Sequence, residues 1–310
     1  MTGANPFAGL PPQRVLVAGG TGFIGHALVE RLLDGGHAVT VLTREPARAA
    51  AKFGGRVACV HSADALVSDA TFDAVVNLAG APVVGPRWTE QRKAKLLASR
   101  VGVTQALAGW LKRAPSRPAV WVQASAIGFY GARDPGEALT ENSPAGRGFM
   151  AELCTRLEDA MREIADLGMR VVALRLGLVF GRGGGALPAL LLPYRFGLGA
   201  RLGDGRQVMS WVHRDDVIAL IARSLGDASM RGAYNAVAPE AVAQADFAAA
   251  VGRALHRPVW LRVPAAPIRL LAGEMAQLFV DGQRVVPQRL LDAGYAFRFP
   301  TLQAALDDLT

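Results

Sequence analysis

The sequence predicts an α/β protein of Rossmann type: a doubly wound parallel sheet with a smaller C-terminal substrate lobe. Three observations predict it. Short β-branched runs alternate with amphipathic helical stretches, the first run leads straight into a glycine turn and a helix, and 310 residues, 51% of them hydrophobic, suffice for one large domain plus a lobe. Strands are predicted over "RVLVA" (14–18), "AVTVLT" (38–43), "RVACV" (56–60), "FDAVVNLA" (72–79), "AVWVQAS" (119–125) and "RVVALRL" (170–176). Between them, "FIGHALVERLLDGG" and "TEQRKAKLLASRVGVTQALAGWLKR" have helical spacing, as do 147–161 and 214–226. After Gly181 the pattern breaks into Gly-, Pro- and Leu-rich sequence, and the last fifty residues read as irregular. The expected organisation is a flexible lead-in (1–13), a nucleotide-binding domain (14–181) to which 211–250 return, and a substrate lobe formed by 182–210 and 251–310.

Composition narrows the function classes. The net charge of +8 rests on four lysines and on arginines scattered along the chain, with no basic run of the kind that forms a nucleic-acid arm. Two cysteines and five histidines are too dispersed for a metal site, and so few cysteines suit a reduced cytoplasm. The N-terminal "MTGANPFAGLPPQ" lacks the basic and apolar regions of a secretion signal, and "ALPALLLPY" (186–194) is too short to span a bilayer. A cytoplasmic protein is therefore expected, with a small-molecule substrate and neither nucleic acid nor membrane as partner.

The first strand runs into "AGGTGFIGHALVERLL", with Gly19, Gly22 and Gly25 spaced three apart. A strand, a tight glycine turn and a helix start bring backbone N–H groups and the positive helix end to a pyrophosphate. The predicted cradle is Gly19, Gly22, Phe23, Ile24 and Gly25. At the end of the second strand an NAD-preferring protein places a carboxylate for the ribose 2′-hydroxyl; here "VLTREPAR" offers Arg44 and, one turn later, Arg48. Guanidinium groups pair with a 2′-phosphate, so NADP(H) is the expected cofactor, with Glu45 arguing the other way.

"GGTGFIG", "NLAG" (77–80), "QASAIGFYG" (123–131) and "RLGLVFG" (175–181) together resemble the ordered motifs of an extended short-chain dehydrogenase/reductase. "GPRWTEQRKAKLLASRVGVTQAL", "GDGRQVMSWVHRDDV" and the C-terminal "AGEMAQLFVDGQRVVPQRLLDAGYAFRFPTLQAAL" narrow the resemblance to an atypical epimerase-like subfamily. It covers nearly the whole chain from Arg14 onward. The resemblance implies that Asn77, Ala79 and Gly80 pass the adenine-ribose side of the cofactor and that Ser125 is the serine that hydrogen-bonds the reacting oxygen. One residue more than usual separates Ser125 from the following Tyr-Gly.

The expected tyrosine and lysine of the family are missing. Aligning Glu158 with the glutamate that ends the family's helix motif puts Met150 at the tyrosine position and Cys154 at the lysine position, and no tyrosine in the chain is followed by lysine four residues later. Tyr130 is the expected substitute phenol and Arg100 the expected fixed charge. Cys154 is either a thiol acid/base or a small core residue. Arg182, Arg195, Arg201 and Arg206 are candidate contacts for a phosphorylated or nucleotide-linked substrate, and His213 is either a substrate contact or a helix-cap residue. Two functions remain: an NADP(H)-dependent oxidoreductase or epimerase-like enzyme with a non-standard proton donor, or an NADP(H)-binding protein without turnover that presents its states to a protein partner. A hydrolase on Ser125 is disfavoured, since no G-x-S-x-G elbow surrounds it.

Overall fold

A computed structural model describes residues 4–66 and 70–310. Seven strands form one sheet: β1 (Arg14–Ala18), β2 (Ala38–Leu42), β3 (Ala58–Val60), β4 (Ala74–Asn77), β5 (Val120–Ala126), β6 (Arg170–Leu176) and β7 (Gly232–Ala236). Their order is β7-β6-β5-β4-β1-β2-β3 and every pairing is parallel. Because the chain leaves β1 towards β2 on one side and returns to β4 on the other, a crevice opens at the C-terminal ends of β1 and β4, where such sheets bind ligands.

The strands are apolar on both faces because helices cover both. On one face Val15, Val17, Val120 and Val122 pack against Leu28, Val29 and Leu32 of α1 (Phe23–Asp34) and against a helix over Arg214–Gly226. On the other, Leu16, Val75 and Trp121 meet Leu107 and Leu111 of the helix Val103–Arg113 and Ile164 of the helix Phe149–Asp166. Numbered in chain order, the helices are α1, α2 (Pro46–Lys52), α3 (Glu90–Leu97), α4 (Val103–Arg113), α5 (Phe149–Asp166), α6 (Leu187–Arg195), α7 (Arg214–Gly226) and α8 (Gln244–Ala254). α3 and α4 are joined through a π-turn over Ala98–Gly102.

Several expectations are corrected. β7 has no β-branched residue, so its sequence "GAYNA" carried no strand signal; it is a strand because it extends the open edge beside β6. The last fifty residues are not irregular: they contain helices over Ala265–Ala272 and Leu302–Leu309 and shorter turns of helix between. α8 does not return to the sheet, since Phe247, Ala248 and Val251 bury against Phe180, Leu191, Tyr194 and Leu306 in the core of the lobe. Residues 4–13 do not behave as a loose lead-in. Phe7 is fully buried beside His37, and Asn5 Nδ2 donates to the Arg31 carbonyl. Residues 1–3 of the expected lead-in lie outside the described residues.

Candidate functional site

The glycine turn has the form that a diphosphate needs. Gly19 adopts φ +78°, and a Cβ on it would stand 2.7 Å from the Leu78 carbonyl, so only glycine lets β1 pass the end of β4 so closely. A Cβ on Gly25 would lie 2.1 Å from the Gly19 carbonyl oxygen, which closes the helix start onto the turn. Gly22 differs. Its added Cβ would meet the Gly19 oxygen at 3.2 Å and nothing else, leaving its outward side free for a ligand. Gly22 is also the N-cap of α1, with no side-chain cap and no acidic residue in the first turn, so the N–H groups of Phe23, Ile24 and Gly25 meet no intrahelical acceptor. The turn thus fits a dinucleotide pyrophosphate. The side chains of Phe23 and Ile24 turn away from it: Ile24 joins the core, and the loop through Gly181, Gly184 and Gly185 wraps the Phe23 ring so closely that a Cβ on Gly184 would lie 2.6 Å from it.

Three cations follow β2 in the chain. Arg44 is exposed at the end of β2 and makes no hydrogen bond or ion pair among the described residues, while Arg48 holds Glu45 at 3.2 Å and so turns that carboxylate aside. Lys52, which the sequence motifs did not single out, donates from Nζ to the Thr21 carbonyl of the glycine turn at 3.2 Å. Burial, then the charges of Lys52 and Arg214, hold His26 below the usual histidine range. The signal for Lys52 was weak, since it lies thirty-one positions from Thr21 along the chain.

The Asn77 side chain serves the scaffold. Fully buried, it donates to Gln123 Oε1 and Thr104 Oγ1, each at 3.0 Å, and its own oxygen accepts the Ala79 N–H at 3.1 Å. It therefore shapes the turn that carries Ala79 and Gly80 to the crevice. The Arg100 guanidinium, on the π-turn, lies where a Cβ of Gly80 would be and donates to the Ala81 carbonyl at 3.0 Å. The π-turn that carries Arg100 also packs against α5, the helix that would carry the lysine.

The catalytic half of the site is rewritten. The Ser125 hydroxyl, at the C-terminal end of β5, donates to Glu158 Oε1 at 2.8 Å. Glu158 is clamped by Arg175 through Nε at 2.9 Å and Nη2 at 2.8 Å, a fork that fits the carboxylate. Register explains the meeting, because Ser125 and Arg175 are directly paired on neighbouring strands and α5 crosses their shared face. The pairing of Glu158 with Ser125 and Arg175 was not expected from the sequence; an arginine inside the apolar run "VVALRLGLVF" was the available signal, since a charge there needs a partner.

Tyr130, expected to offer a phenol to substrate, does not. It is fully buried, donates to Asn235 Oδ1 at 2.7 Å and accepts from Arg175 Nη1 at 2.9 Å. Burial pushes its pKa up, and every polar valence is used inside the protein. Met150 lies beneath the 127–130 turn, where a Cβ on Gly128 would stand 3.1 Å from it. The Cys154 thiol is pushed up to about 12 by burial and then by the Glu158 charge, which leaves it protonated packing material.

The lobe residues also find structural partners. His213 caps α7 by accepting the Asp215 N–H at 3.1 Å and stacks on Phe299 at 3.9 Å, while Asp216 accepts the N–H groups of Arg298 and Phe299; both hold the C-terminal segment. Arg182 bonds the Asp308 carbonyl, Arg201 the Asp204 carbonyl and Arg206 the Asp204 carboxylate. Arg195 is exposed. Among the described residues no group of three or more His, Cys, Asp or Glu could hold a metal, and no helix is long and apolar enough to cross a membrane.

With this geometry in view, the comparisons are specific. The human epimerase family protein SDR39U1 is 38% identical over 96% of this chain and 99% of its own length, and Bacillus subtilis epimerase family protein YfhF is 32% identical over 96% and 98%. A crystal structure of human SDR39U1 (isoform 2) with NADPH superposes with a TM-score of 0.86 at 36% identity, covering 96% of this chain and 98% of that one. Residues 263–309 match a domain of unknown function (DUF1731). Residues 15–236 match the model of the NAD-dependent epimerase/dehydratase family, and the chain belongs to that family.

Proposed function

We propose that this protein is an NADP(H)-dependent oxidoreductase or epimerase-like enzyme whose proton is handled by Ser125 and Glu158 in place of a tyrosine and lysine. The observation that carries the reading is the Ser125–Glu158–Arg175 array at the ends of β5 and β6, two strands from the glycine turn. NADP(H) is supported by the unpaired Arg44 after β2, by Lys52 on the glycine turn and by the NADPH carried in the human relative's structure. When bound, the nicotinamide supplies or accepts the hydride. Ser125 takes the proton of a substrate hydroxyl as its own moves to Glu158 Oε1, and the reverse transfer protonates a substrate carbonyl oxygen. Arg175 holds the carboxylate in place, and Arg100 supplies a fixed positive charge. The substrate class is a small phosphorylated or nucleotide-linked molecule, supported by Arg182 and Arg201, which bond only backbone carbonyls and make no ion pair among the described residues.

The test is a screen of aldehydes, ketones, quinones and sugar nucleotides at saturating NADPH, followed by absorbance. Turnover should fall by roughly 10² or more in Ser125→Ala and in Glu158→Gln. Turnover unchanged by both substitutions sinks the assignment. A second reading, a cofactor-binding protein without turnover, is favoured by the sealed Tyr130 and the unreactive Cys154. It predicts tight NADPH binding, no turnover with any of these substrates, and a protein partner captured only in one cofactor state.

A further inference from the structure

Among the described residues eight large apolar side chains are exposed, and four of them gather on one patch of the lobe. α6 ends in a turn at Gly197, φ +71°, which projects Phe196 and Leu198 on either side of it, with Leu192 one helical turn before. Trp260 stands beside them on the strand Val259–Val263, and its indole Nε1 donates to the Gly197 carbonyl at 3.2 Å. Phe196 is 74% and Trp260 67% exposed. A monomer does not ordinarily collect such side chains without a use for them.

The chain segments that form the patch carry charge of one sign. Residues 167–203 and 247–273 contain no aspartate or glutamate. Arg195 precedes Phe196, Arg262 shares the exposed face of the strand with Trp260, and Arg257 lies three residues before Trp260; all three are exposed and make no ion pair among the described residues. A second copy of the chain docking through the same patch would set these arginines against one another. The one polar side-chain atom among the four, the Trp260 indole N–H, is already satisfied within the protein, so the patch asks no hydrogen bond of what covers it. Tryptophan, phenylalanine and leucine rimmed by arginine suit the boundary between lipid headgroups and acyl chains.

We propose that this patch docks the protein on the surface of an anionic lipid bilayer, with Phe196, Leu198 and Trp260 entering the headgroup boundary and Arg195, Arg257 and Arg262 facing the lipid phosphates. Such contact involves no spanning helix and uses no residue of the glycine turn or of the Ser125–Glu158–Arg175 array, so it holds whichever reading of the site is right.

The molecule carries its own reporter. Trp88, Trp110, Trp121 and Trp211 are buried, so acrylamide quenching of the native protein reads Trp260. The full-length protein is mixed with vesicles of phosphatidylcholine alone or with added phosphatidylglycerol, then followed by flotation and tryptophan emission. The expected result is binding to the anionic vesicles only, a blue shift, loss of quenching, and weakening as salt rises from about 50 to about 500 mM. Phe196→Ser and Arg262→Glu should each lower the partition by roughly tenfold, with NADPH affinity and melting temperature unchanged. No partition into anionic vesicles, or partition unaltered in both variants, overturns the proposal. Protection of Trp260 by poly-glutamate but not by vesicles also overturns it, and assigns the patch to an acidic protein.

Discussion

The two ends of the ligand crevice have fared differently. At the β1–α1 end every part of the dinucleotide cradle is present: glycines forced by close backbone approach, an uncapped helix start and Lys52 on the glycine turn. At the β5–α5 end the strand, helix and serine persist, yet the groups expected to move a proton have become packing. Tyr130 is sealed between Arg175 and Asn235, and Cys154 is buried. The difference teaches that cofactor binding and proton chemistry are separable on this sheet, because one is held by backbone and the other by a few side chains.

The largest test of that separation is at Gly22. Gly22→Val should remove NADPH binding by calorimetry while leaving the circular dichroism unchanged, since the new side chain meets the Gly19 carbonyl oxygen at 3.2 Å and otherwise only the ligand's space. Gly19→Val, by contrast, should damage the fold itself. Binding retained in Gly22→Val would break the comparison at its better-preserved end.

At the other end, Arg175→Ala strands a carboxylate with little access to solvent and should cost about 3–5 kcal/mol in denaturant unfolding. Arg175→Met combined with Glu158→Leu should recover most of that loss, because no charge is then left unpaired. A small effect of the single substitution would mean that Glu158 is solvated and free to act alone.

Arg44→Ala should weaken NADPH by the equivalent of about 1.5–3 kcal/mol and leave NADH unchanged, as expected for one lost charge-assisted bond to a 2′-phosphate. Parallel titration of both cofactors decides it, and equal affinities in the native protein remove the argument. Tyr130→Phe should cost about 1–3 kcal/mol of stability, by leaving Asn235 and Arg175 short of a partner, with cofactor affinity intact. A selective loss of turnover at unchanged stability would return the phenol to the chemistry.

The smallest effect is expected at Cys154. Its folded pKa of about 12 exceeds the ordinary value of 9.0, so the folded state keeps the proton longer. Its contribution to stability is complete below pH 9 and falls as pH rises towards 12, because the unfolded state there has already released that proton. Cys154→Ala should flatten this alkaline decline, and iodoacetamide at neutral pH should spare the native thiol. Rapid alkylation of Cys154 in the folded protein would contradict its burial.

What the sequence determined by itself is what depends on neighbours in the chain. A strand ending in glycines spaced three apart and alternating β-branched and amphipathic segments are local signals, and they specify the parallel sheet and the tight turn at the end of β1. The absence of the tyrosine and lysine was equally plain. Tertiary structure alone decided what replaced them. Ser125 meets Glu158 across 33 residues and Tyr130 meets Asn235 across 105, through strand register and helix packing that no short window contains. The same holds for β7, a strand made by the open edge it completes, and for Asn77, whose motif pointed to the cofactor while its buried amide was claimed by Gln123 and Thr104. A polar side chain shows its chemistry in sequence; burial and the nearest unsatisfied group determine whether that chemistry faces a ligand or the core.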